Sequence, residues 1–111
     1  MDNKKIDLEY TFKEIKEYII LIKFKRPLNN MSDLFYDCSS LTSLNLSNFN
    51  TNNVNNMSYM FNNCSSLTSL NLSNFNINNV KDMSNIFHKL RSNCKIETNN
   101  KKISDIRNIQ F

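Results

Sequence analysis

The chain repeats itself every 26 residues. Residues 31–56 read MSDLFYDCSSLTSLNLSNFNTNNVNN and residues 57–82 read MSYMFNNCSSLTSLNLSNFNINNVKD, identical at 19 of 26 positions, with 13 in one run, 38–50 against 64–76. A third copy opens at Met83 as MSNIFHKL and then decays; Leu28, Asn29 and Asn30 match Val54, Asn55 and Asn56, so the phase starts before Met31. A unit this short cannot bury an apolar face alone, so the copies have to stack into one continuous core. Two full copies are fewer than the ~3 that usually make a repeat array stable, so the ends must supply coils or caps.

Each copy carries two periodicities. Met31, Leu34, Phe35 and Cys38, repeated at Met57, Met60, Phe61 and Cys64, follow the i, i+3, i+4, i+7 spacing that predicts one apolar face of a short helix. Leu41, Leu44 and Leu46, repeated at Leu67, Leu70 and Leu72, form an LxxLxL pattern whose last part alternates with Asn45 and Asn71 and predicts a short strand. The period lies within the ~20–29 residues of leucine-rich repeats. Phe49 and Val54, with Phe75 and Val80, return apolar groups to the interior. The expected fold is α/β: a short leucine-rich-repeat solenoid with parallel strands on one face, short helices on the other, and a cap at each end.

The expected organisation is an N-terminal cap with a degenerate first coil over 1–27, the repeats over 28–90 and a C-terminal cap over 91–111. Residues 6–12 alternate as a strand, while Leu8, Phe12, Ile15 and Ile19 also fit a helix; alternation favours the strand. Residues 18–25 read as a strand that Pro27 ends. Residues 94–98 are expected to give a last strand, and Ile103, Ile106 and Ile109 a closing helix.

Composition excludes several classes. The chain has no Gly, one Pro and 22 Asn among 111 residues, so Gly-dependent phosphate and dinucleotide loops are ruled out. The Asn-rich stretches are expected to be turns, with Asn replacing Gly where the backbone must be left-handed. Residues 31–80 hold two Asp and no Lys or Arg, whereas 1–30 carry +2 and 81–111 carry +4. A nucleic-acid groove would run its positive charge through the body of the fold, so nucleic acid is disfavoured as a partner. The longest apolar run, residues 18–22, is shorter than the ~7–15 residues of a secretory segment or the ~20 of a membrane helix. The chain as written is therefore expected to stay where it is made.

The unit MSxMFxxCSSLTSLNLSNFxTxxVxx resembles the 26-residue repeat of BspA-like leucine-rich repeat proteins, the bacterial surface protein 26-residue repeat family. Met57, Phe61, Cys64, Leu67, Leu70, Leu72, Phe75 and Val80 carry the likeness, and Met31 to Val54 carry it again, over about residues 28–90. The resemblance implies a surface-protein or adhesin-like role in partner binding, without catalysis. The chain departs from it in its short array and in showing no signal peptide, membrane anchor or wall anchor.

No constellation of nucleophile, base and stabiliser is visible, so no catalytic residue, cofactor or metal site is expected. Cys38 and Cys64 occupy equivalent positions and each closes an apolar face, which makes them core residues. Asp33 and Asp37 form a solvated acidic face, and His88 lies outside the apolar pattern. The five N-x-S/T sequons, at Asn30, Asn45, Asn56, Asn63 and Asn71, are largely one feature copied by the repeat. The candidate contact residues are those the strand exposes, Thr42, Ser43, Asn45 and Ser47 with Thr68, Ser69, Asn71 and Ser73. Tyr36 and Tyr59 join them as aromatic anchors at positions that differ between copies.

The leading function is a non-catalytic interaction module for a protein or glycan partner, as a monomer or a cap-to-cap dimer. The alternatives are a fragment or relic of a longer repeat surface protein, and a small basic binder of nucleic acid or anionic lipid acting through Lys89, Arg91, Lys101, Lys102 and Arg107.

Overall fold

The computed structural model describes residues 28–109; the expected N-terminal strands at 6–12 and 18–25 lie outside the described residues. Three strands, β1 (Ser43–Asn45), β2 (Ser69–Asn71) and β3 (Lys95–Glu97), precede one helix, α1 (Lys101–Ile109). The strands form one parallel sheet in the order β1-β2-β3. Ser43 pairs with Ser69 and Ser69 with Lys95, so the register of the sheet is the sequence repeat of 26. Each strand has the same cause. Leu44, Leu70 and Ile96 point inward and their polar neighbours point out, the alternation of a sheet with one covered face. β3 belongs to the segment read as decayed; its side chains have diverged, but its backbone keeps the register.

The expected helices over 31–38 and 57–64 are absent: both segments are consecutive turns, and so is the segment after Met83. Their apolar residues are buried as a helix would have buried them, Met31, Leu34, Phe35 and Cys38 in the first copy and Met57, Met60, Phe61 and Cys64 in the second. The backbone is broken by left-handed residues at equivalent places, Asp33 and Asp37, Tyr59 and Asn63, Asn85 and Lys89. A left-handed residue cannot continue the bonds of an α-helix. Alternate N–H groups instead cross to the next copy: Met31 donates to Asn56 O, Asp33 to Ser58 O, Phe35 to Met60 O and Asp37 to Asn62 O, at 2.8–3.0 Å. Met57, Tyr59, Phe61 and Asn63 donate in the same way to Asp82, Ser84, Ile86 and His88. A helix of eight residues would be marginal in water, whereas this ladder grows with every copy.

Side chains stack in columns along the same direction. Phe35, Phe61 and Phe87 lie nearly parallel, with centroids 5.8 and 6.0 Å apart. Asn has a different main role from the one expected. Asn63 and Asn85 are left-handed, but the other four such residues are not Asn. Six of the described Asn side chains instead close Asx turns, accepting the N–H two residues on: Asn30 from Ser32, Asn45 from Ser47, Asn50 from Asn52, Asn56 from Ser58, Asn71 from Ser73 and Asn76 from Asn78. Asn100 caps α1 by accepting from Lys102 and Ile103.

Candidate functional site

The sheet brings the expected strand-face residues together. Ser43 and Ser69 stand side by side, as do Asn45 and Asn71, and Thr68 bonds Thr42 O through both its N–H and its hydroxyl. Ser43 and Thr68 are exposed; Thr42, Asn45, Ser47, Ser69, Asn71 and Ser73 are half-buried. The carbonyl oxygens of Asn45 and Asn71 already accept from the Ser47 and Ser73 amides at 2.9 Å. Asn74 and Asn99 add donors to Ser47 O and Ser73 O. The row has two members the sequence reading missed. Lys95 continues Ser43 and Ser69, and Glu97 continues Asn45 and Asn71, so the neutral face ends in a charged edge. Adding 26 to 69 and 71 would have found both.

The turn segments form a second exposed surface. Tyr36 and Tyr59, 47 % and 40 % exposed, are the large hydrophobic side chains that stand out into solvent among the described residues. They sit in adjacent copies, and Asp33 holds the stack position equivalent to Tyr59. Asp37 accepts from Asn63 Nδ2 at 2.6 Å. Asn62 is buried, and its Nδ2 lies 3.3 Å from Nδ1 of the exposed His88.

None of the three thiols is in a disulfide, and all are buried. Cys64 lies 3.2 Å from Phe35 O, and its hydrogen bond with Cys38, reinforced by burial, pushes its titration far above the ordinary thiol range. Burial also raises Cys94, against the opposing pull of the Arg107 and Arg91 charges. Protonated thiols of this kind are poor nucleophiles.

Cys94 lines an open cleft of about 270 Å³ between β3 and α1, with Ile96, Thr98, Ser104 and Arg107. Arg107 serves the fold there. Its Nη2 donates to the carbonyls of Arg91, Ser92 and Cys94 at 3.1, 3.1 and 2.8 Å, fastening α1 to the third copy. Burial lowers the guanidinium below its ordinary value. Lys101 is paired with Asp105 at 2.9 Å. Arg91 Nε donates to Asn93 Oδ1 at 3.2 Å, so three of the five cations grouped by the sequence reading are engaged within the chain. Among the described residues, no helix is long and apolar enough to cross a membrane.

Residues 6–110 match the family described as Mycoplasma protein of unknown function, DUF285. No curated protein and no solved structure matches the chain. The likeness to BspA-like repeats is therefore one step removed: the matched family is related to those proteins, and the chain does not match them directly. A match of this extent takes in the repeats and both ends, and the chain belongs to the DUF285 family of repeat proteins.

Proposed function

We propose that the chain is a short leucine-rich-repeat solenoid acting as a non-catalytic interaction module, which takes a protein or glycan partner on its strand face. The observation that carries this reading is the outward row of β1 and β2, where identical small polar side chains stand in register across neighbouring copies. Such a face offers many weak hydrogen-bonding groups and no aromatic or Arg anchor, so it suits an extended partner held by repeated contacts. The adhesin-like role implied by BspA-like repeats is consistent with this reading and belongs to the proposal.

The test uses Ser43→Arg with Ser69→Arg. Both positions project from the sheet, and neither side chain closes an Asx turn. Wild-type chain captures partners from a glycan array or a surface extract; the double variant is expected to lose them with its melting curve unchanged. Unaltered capture by the folded variant would take the site off the strand face. Protease shaving of intact cells, with a cytosolic protein as lysis control, gives the second readout. Peptides from residues 31–82 released by shaving would support an adhesin-like role, and full protection would remove it.

A further inference from the structure

Of the six left-handed residues among those described, four are Asp or Asn: Asp33, Asp37, Asn63 and Asn85. These types accept that backbone at least cost, and the chain uses Asn freely, with 22 in its sequence. Tyr59, at φ 59°, and Lys89, at φ 62°, are the exceptions. A bulky side chain in this region is strained, and such strain gathers at functional positions. The core gives no reason for either residue, since both side chains are exposed, Tyr59 to 40 %. Other copies seat Asp33 and Asn85 at the position of Tyr59, and Asp37 and Asn63 at the position of Lys89, so the fold accepts the tolerant types at both places. The two exceptions belong to neighbouring copies and are joined through His88. Asn62 N donates to Tyr59 O at 3.2 Å, and Asn62 Nδ2 lies 3.3 Å from His88 Nδ1. An amide nitrogen donates, so Nδ1 accepts and the neutral ring carries its proton on Nε2. Lys89 follows directly, and Arg91, two residues beyond, is exposed and gives its Nε donor to Asn93.

We infer that Tyr59, His88, Lys89 and Arg91 form a binding site for an acidic glycan, a sugar ring that carries a carboxylate. The apolar face of the sugar ring lies on the Tyr59 ring. Its carboxylate meets the Lys89 ammonium, with the Arg91 guanidinium and His88 Nε2–H as further donors. Asp33, exposed at the equivalent position of the first copy, repels a carboxylate from the other side of Tyr59 and so turns the acidic end toward Lys89. A nucleic-acid strand fits less well, because it calls for cations along its whole track, and residues 31–80 hold no Lys or Arg. A folded acidic protein fits less well too. It needs ~800 Å² per partner, and the patch is one aromatic ring beside three basic side chains. One ring and one anchoring charge match one sugar unit, so each contact is weak and weakens further in salt. The site is separate from the strand face and does not rest on the reading of that face.

Titration of the full chain with uronic-acid tetrasaccharides from hyaluronan, polygalacturonate and alginate tests this, beside the same sugars with their carboxyls reduced to alcohols. Wild type is expected to bind at least one acidic tetrasaccharide, and its reduced form about tenfold more weakly. Tyr59→Asn and Lys89→Asn each install the residue type already seated at the equivalent position of another copy, Asn85 and Asn63. Both are expected to raise the melting temperature while weakening binding about tenfold. That opposition of signs separates strain kept for a ligand from a structural role, which would lower the melting temperature. Failure of the folded wild-type chain to bind any of these acidic sugars overturns the proposal. So does binding that neither substitution weakens. A thymidine oligonucleotide bound more tightly than every acidic sugar would give the patch to nucleic acid and overturn it as well.

Discussion

In the strands, three consecutive residues of each copy run extended, and the outward positions of the first two copies are the same, Ser43 with Ser69 and Asn45 with Asn71. In the turn segments the outward positions differ from copy to copy, and the backbone turns left-handed twice in each. Both regions join neighbouring copies by hydrogen bonds at an offset of about one repeat, so they solve the same stacking problem with different backbones. The strand solution needs only alternation. The turn solution needs residues at positive φ in a chain that has no Gly, and its surface varies only among side chains that accept the strain.

The largest effect should separate the two cores. Phe61 and Leu70 are both fully buried in the middle copy, one behind the turns and one behind the strand. Phe61→Ala removes a ring stacked on both sides, and is expected to cost about 3–5 kcal/mol, against about 2–5 for Leu70→Ala. Urea unfolding of the two variants measures the difference. An equal cost would mean that the aromatic column adds nothing beyond ordinary burial.

A single substitution type should then change sign between the regions. Lys89→Gly relieves an exposed left-handed residue and is expected to stabilise by about 0.5–1 kcal/mol. Ser69→Gly puts the same residue in an extended strand and is expected to destabilise by a similar ~0.5–1 kcal/mol. Thermal melts read both. Loss of stability in Lys89→Gly would show that its lysine side chain contributes more than its backbone costs.

The inward side chains were legible in the sequence and the turn backbone was not. Met31, Leu34, Phe35 and Cys38 fit a helix by spacing, and turns with left-handed breaks bury the same four. Spacing reports which residues point inward, and more than one backbone can deliver them there. The usual marker of the left-handed break is Gly, and Tyr59 and Lys89 give no such signal. The Asx turns were present in the text as an Asn or Asp two residues before a Ser, at Asn30, Asn56 and Asp82 and again at Asn45 and Asn71. That pattern was visible as a sequon, which hid its local hydrogen bond. Of the candidate site, the strand row was legible because alternation places it. The engagement of Asn45 and Asn71 and the arrival of Lys95 and Glu97 depend on the turn chemistry and on the register of a diverged copy. Arg107 could not be read at all, because its three acceptors are backbone carbonyls, which no sequence pattern marks.

The smallest effect tests the Asx turns through pH. Asp82 stands where the earlier copies have Asn30 and Asn56, and its carboxylate accepts from the Ser84 hydroxyl at 2.6 Å and the Ser84 amide at 2.9 Å. These bonds lower its titration below the ordinary carboxylate range, the hydroxyl contributing most. A carboxyl depressed in the folded chain adds stability that is present above its unfolded value, ~3.9, and lost as pH falls through the lower folded value. Asp82→Asn keeps the turn acceptor, as the two earlier copies do, and removes the titration. The variant should melt like wild type at neutral pH and lose less stability between about pH 5 and pH 2. Asp82 lies at the surface, only half-buried, so the gap should be small and should narrow in salt. Parallel acid curves for the two chains would assign the third turn's stability to its backbone geometry, making it equivalent to the turns closed by Asn.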